Sequence, residues 1–168
     1  MDLLHIVLRV IHIGSAIFWV GSATFLLVFV EPTVRALGPQ GGSFMAHMNT
    51  ARKMPQVIAI SAVLTIAAGI WLYWRDTRFD LDVISTAPVI GLTVGAVAAI
   101  LAFVIGLTMV RPRVERLGAL GGAMASGTPT QEQVQEMGQL QGSLRGISIF
   151  NEVLLVIAVV AMASARFL

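Results

Sequence analysis

Apolar residues crowd into four stretches of the chain, approximately Leu3–Val30, Pro55–Trp74, Ala87–Val110 and Ile147–Phe167. Crossing about 30 Å of hydrocarbon takes roughly 20 helical residues, and each stretch is long enough. Backbone groups in lipid must find partners within their own segment, so all four predict helices. The first stretch starts too near Met1 to leave a basic leader, and no small-residue cleavage site ends it. It reads as a retained span rather than a cleaved signal peptide.

The polar punctuation between the stretches repeats. Val30–Gly42 reads VEPTVRALGPQGG, and Val110–Gly122, eighty positions on, reads VRPRVERLGALGG, with seven positions identical. Each copy follows an odd-numbered span, so the pattern predicts a duplicated two-helix hairpin. Repeat one covers about 1–80 and repeat two about 81–168, related by a pseudo-two-fold axis along the membrane normal. In both copies the helix should meet a proline, run about two turns further, and stop at Leu-Gly, where glycine caps a helix end. The expected fold is all-α: a polytopic membrane protein, 1–168 as a single domain, built as a four-transmembrane-helix bundle. Ser43 is a candidate N-cap for a helix that continues into the second span with a kink at Pro55. Thr128 with Pro129 is the candidate start of a helix leading into the fourth span. Gly118–Gly127 reads as a small, flexible link.

Basic residues set the orientation. Arg35, Arg52, Lys53, Arg111, Arg113, Arg116 and Arg145 flank the first and third loops, against Arg9, Arg75, Arg78 and Arg166 toward the other side. The excess of basic residues places loops 31–54 and 111–146 in the cytoplasm and both termini outside. Composition agrees: 57% of residues are hydrophobic and 12% charged, against about 25% charged in soluble domains. The lipid bilayer is therefore the expected partner. A net charge of +2 spread between apolar runs makes no basic face, so no nucleic-acid partner is expected. The absence of cysteine removes thiolate chemistry and disulfides.

Chemistry is sparse and therefore conspicuous. At 100° per residue His5, Arg9, His12, Ala16, Trp19 and Ala23 form one stripe of the first span, while Gly14 and Gly21 with Phe18 and Phe25 lie opposite. The glycines suggest close helix approach. The polar stripe should face the bundle interior. His12 lies roughly 14 Å along the helix, near the midplane. An imidazole there is either a ligand to a metal or haem iron, or a histidine bonded to a serine or carbonyl on another helix. Arg9 either snorkels or binds an anion such as a propionate. Asn151 and Glu152 lie one turn inside the fourth span, where a carboxylate is costly unless paired or protonated. Arg52, Lys53 and Arg145 are its candidate partners. The third span holds no ionisable residue and should supply packing alone. Met45, His47, Met48 and Met54 have side chains that suit Cu(I), but they lack a repeated spacing and read as helix packing.

Three segments carry a resemblance. LRVIHIGSAIFWVG (8–21), RKMPQVIAISAVLTIAAGIWLYW (52–74) and FNEVLLVIAVVAMASARFL (150–168) resemble spans of the bacterial HemJ-type membrane protoporphyrinogen oxidases and of copper-resistance-D-like proteins. The resemblance implies an inner-membrane protein holding haem b or a porphyrin, with His12 as axial ligand. Arg52 or Lys53 would stand for the family's basic residue before the second span. That family takes a second histidine from its third span, and Ala87–Val110 has none. Any haem would be five-coordinate, held by a further non-histidine group, or shared with another subunit. The candidate cofactor-binding residues are thus His12, Arg9, Glu152, Asn151, Lys53 and Arg52, with His12 the metal ligand. Three functions stay open: a haem- or porphyrin-binding redox protein, a small-solute or copper permease, and a non-catalytic subunit or assembly factor. If catalytic, the protein is a membrane oxidoreductase acting on porphyrin or quinone-type electron partners. A homo-oligomer or a larger membrane complex fits each of the three.

Overall fold

The computed structural model describes residues 2–168, and every regular element in it is helical. Four helical rods are long and apolar enough to cross a bilayer: Leu3–Leu37, Met54–Thr77, Ala87–Met124 and Gln131–Phe167. The chain is a multi-pass, all-α membrane protein. Three rods, of 35, 38 and 37 residues, exceed the roughly 20 needed for hydrocarbon, so their ends at the long loops stand beyond it.

The first rod comprises α1 (Leu3–Phe25), a π-helical turn (Leu26–Val30) and α2 (Glu31–Leu37). After α3 (Pro39–Thr50) the chain breaks at Lys53 and re-enters as α4 (Met54–Thr77). A short α5 (Leu81–Ile84) leads to α6 (Ala87–Ile105), a second π turn (Gly106–Val110) and α7 (Arg111–Ala125). The long α8 (Gln131–Ser164) closes the bundle and ends in a 3-10 turn at Ala165–Phe167. The α1 helix packs along α4 and α6 along α8, with much thinner contact between the two pairs.

Both π turns have the same cause. Pro32 and Pro112 bring no N–H, so the ladder slips by one residue just ahead of each. The amide of Glu31 bonds Leu26 O, and that of Arg111 bonds Gly106 O. The two slips are eighty positions apart, in register with the repeated motif.

Several expected boundaries move. Only the first copy stops at Leu-Gly: Gly38 takes φ +55°, whereas α7 runs through Gly118 to Ala125. Pro39 follows Gly38 and drives it from the α region, while Ala119 follows Gly118 and leaves the helix intact. The 118–127 segment is consequently mostly helix, anchored by buried Leu120, and not a flexible link. The α3 helix starts at Pro39, so Ser43 is an internal residue and not an N-cap. Gly41 is required where α2 and α3 fold together, since a Cβ there would stand 2.2 Å from Val34 O. Lys53 at φ 51° makes a break where a kink at Pro55 was expected. Thr130 replaces Thr128 as the cap of α8, because Gln133 completes a capping box with it.

The core is built of small residues around one large ring. Trp19 is 6% exposed among Ala62, Ala98, Ala99, Ala102, Leu155 and Ala158. Its ring meets Phe103 edge to face, with centroids 6.4 Å apart. The glycine stripe of α1 does not mediate approach: nothing lies within 4 Å of a Cβ at Gly14 or Gly21, and Phe18 and Phe25 are exposed. That role falls to Gly91 and Gly95 of α6, which lie against Ala158, Ala161, Met162 and Ala165 of the last rod.

Candidate functional site

The polar stripe of α1 meets a stripe on α4 that recurs every fourth residue: Ser61, Thr65, Gly69, Tyr73 and Thr77. Such spacing keeps successive residues on one slowly winding face. Where the two stripes cross, the His12 ring sits in the gap left by Gly69. A Cβ on Gly69 would stand 2.8 Å from His12 Cε1 and 3.0 Å from Nδ1. His12 Nδ1 lies 2.7 Å from Thr65 O. A carbonyl can only accept, so Nδ1 carries the proton and donates it. In the neutral ring Nε2 then keeps its lone pair, and no described residue bonds it.

Hydroxyl groups brace this contact. Thr65 Oγ1 is 2.9 Å from Ser15 Oγ and 2.8 Å from Ser61 O, and Ser15 Oγ donates to Ile11 O at 2.5 Å. Ser61 and Thr65 are buried, so few competing partners reach them. The expectation of an interior-facing stripe holds at Trp19, which is buried, and at half-buried His5, His12, Ala16 and Ala23. It fails at Arg9, which is exposed and makes no ion pair among the described residues.

A second polar contact lies on the seam between the helix pairs. Thr24 of α1 bonds the Glu152 carboxyl of α8 while also contacting Val20 O at 3.0 Å. None of the expected cationic partners reaches Glu152. Arg145 turns instead to Glu31 at 3.6 Å, and Arg35 binds the same carboxylate at 2.8 Å. Arg52 and Lys53 are exposed at the α3–α4 break and form no ion pair among the described residues. The Oδ1 of neighbouring Asn151 is buried and has no described partner. Across the same seam, Tyr73 OH and Thr93 Oγ1 are 2.8 Å apart.

The six predicted residues thus do not converge on one point. His12 belongs to the α1–α4 contact, and Glu152 is tied to Thr24, twelve residues along α1 and hence ~18 Å away along the axis. Thr65, Gly69, Ser15 and Thr24 were not singled out from sequence, although the four-residue stripe of α4 was there to be read. Among the described residues no group of three or more His, Cys, Asp or Glu side chains could hold a metal ion. The two best-formed hollows are shallow and lie away from His12. One, of about 310 Å³, is lined by Thr93, Val94, Val97, Ala98, Leu101 and Leu154. The other, of about 360 Å³, is lined by Ile17, Phe18, Gly21, Ser22 and Phe25. Comparison of the chain with protein-family models, with curated proteins and with solved structures finds no match.

Proposed function

We propose that this membrane protein binds haem or a related porphyrin, with His12 Nε2 as the axial ligand, in a redox role. One observation carries the reading: the His12 Nδ1–H is held by Thr65 O at 2.7 Å, against the notch at Gly69. Histidines that ligate metals characteristically donate their other ring N–H to a carbonyl or carboxylate. That bond fixes the tautomer, orients the ring and raises the basicity of the free nitrogen. The donor set fits a single axial ligand and supplies no second histidine.

Bound haem would supply one-electron chemistry. The chain's own contribution is ligand orientation by Thr65, space from Gly69, and a guanidinium at Arg9, one turn from His12, for an anionic edge group. Glu152 and Asn151, on the seam, stand outside this set. A permease calls for a wet passage between the pairs, whereas Trp19 and its alanine neighbours fill that region. The same reading takes the long-loop end, with seven of the eleven basic residues, as cytoplasmic.

An absorption spectrum of detergent-purified protein after haem supplementation tests the proposal. A Soret band that is lost in His12→Ala and retained in Glu152→Gln is expected. No Soret absorbance in the native chain, or a band indifferent to His12→Ala, would end it.

A further inference from the structure

We propose that Glu152 carries a proton within the bundle and is a site of proton exchange between the long-loop interface and the seam of the two helix pairs. The Thr24 hydroxyl has one proton and two oxygen neighbours, Val20 O and a Glu152 carboxyl oxygen. The carbonyl can only accept. Both contacts are full hydrogen bonds at once only when the carboxyl brings the second proton and donates it to Thr24 Oγ1. An ionised carboxylate would have to share that single hydroxyl proton with the carbonyl.

Charge accounting points the same way. Glu152 is half-buried in a membrane-spanning rod, where an unpaired carboxylate costs a few kcal/mol. No cationic side chain of the described residues lies within ion-pair distance of it. The cations of the elements packed around α8 are committed elsewhere. Arg35 and Arg145 go to Glu31, Arg111 to Glu115 and Arg116 to Glu136. Arg113 donates to Met109 O at 2.7 Å and to Ser143 Oγ at 3.1 Å. The α6 helix and both π turns bear no titratable residue, and those of α1 (His5, Arg9 and His12) stand toward its other end. On α8 itself, Glu132 and Glu136 lie near its start, and Arg166 lies just past its far end. What remains to neutralise Glu152 is a proton taken from water at the interface. Once bound, it closes the hydrogen bond by which Thr24 ties α1 to α8. Its release returns a charge to the seam and removes that donor. Asn151 Oδ1, buried and without a partner among the described residues, is a further acceptor on the same turn.

The test is an infrared comparison of the full chain in lipid vesicles at neutral pH, native against Glu152→Gln. The amide can donate to Thr24 as the protonated acid does, so the variant should keep its fold, checked by thermal unfolding. The native protein should show a protonated-carboxyl C=O stretch that Glu152→Gln lacks and Thr24→Val shifts. Labelling with the apolar reagent dicyclohexylcarbodiimide, which attacks protonated carboxyls in lipid, should map to Glu152 and decline as pH rises. Spectra with no band lost in Glu152→Gln, or an adduct absent from Glu152, would overturn the proposal. Neither readout involves haem, so this inference and the haem reading fail separately.

Discussion

In the α6–α8 pair glycine brings two helices together, and in the α1–α4 pair it makes room for a ring. A Cβ on Gly95 would meet Ala158 O at 3.0 Å and Met162 Cγ at 2.6 Å, so backbone lies almost on backbone. The three atoms nearest a Cβ on Gly69 all belong to the imidazole of His12. Gly91 and Gly95 set α6 against Ala158, Ala161 and Met162 of α8, whereas α1 and α4 carry an interhelical ladder through Ser15, Thr65 and His12. One pair is arranged as scaffold, the other around a side chain. The proposed chemistry resides where an imidazole fills the space that a glycine leaves between two helices.

Breaking the scaffold pair should have the largest effect. Gly95→Leu forces a side chain into α8, and overpacking of this kind costs about 3 kcal/mol. Unfolding of the purified protein in denaturing detergent should show it, while Gly21→Leu, facing open space, should stay within about 0.5 kcal/mol of native. Native-like stability in Gly95→Leu would refute the close contact.

Gly69→Val sharpens the other side of the comparison. It should expel the ring and cost about 1–2 kcal/mol. Nitrogen chemical shifts of His12 should change from the Nδ1-protonated tautomer to a solvent-averaged pattern. Thr65→Val is milder, because it keeps the carbonyl that holds His12. Its loss is the Ser15 contact, about 0.6 kcal/mol for a hydrogen bond between membrane helices, with the His12 tautomer unchanged.

The smallest effect belongs to the loop end. Arg116 grips Glu136 through two bonds of 2.7 and 3.0 Å. That hydrogen bonding holds the Glu136 carboxyl below the usual carboxylate range. A depressed carboxylate stabilises the fold above its ordinary titration range, and the contribution is lost as pH falls through the lowered value. Because the pair lies at the surface, with Arg116 exposed and Glu136 partly so, Arg116→Ala should barely move the melting temperature at neutral pH, and the difference should vanish in acid.

The two copies of the repeated motif show how little separates a shared plan from a changed outcome. Both proline exits contain a π turn, and both carry an i,i+4 ion pair, Glu31–Arg35 in one and Arg111–Glu115, reversed, in the other. A duplication followed by exchange of the two charges accounts for this, and we hold it as a proposal. Yet α2 ends at Gly38 and α7 passes Gly118, for want of a second proline.

The four spans and their helical state were legible from the apolar runs, because lipid leaves backbone groups no other solution. The isolation of His12 in an apolar run left two readings open, a ligand to a metal or haem iron or a histidine bonded to another helix, and the fold adds the bond to Thr65 O. What the runs could not reveal was pairing. Whether Gly14 and Gly21 or Gly91 and Gly95 mediate contact depends on how each rod is rotated about its axis. That rotation is fixed by packing against neighbours, and lipid tails are as apolar as the side chains they replace. For the same reason Glu152 found Thr24 rather than Arg145. Local composition set which segments enter the membrane and where each begins to bend; only the assembled bundle decided which faces meet, and so which polar groups find one another.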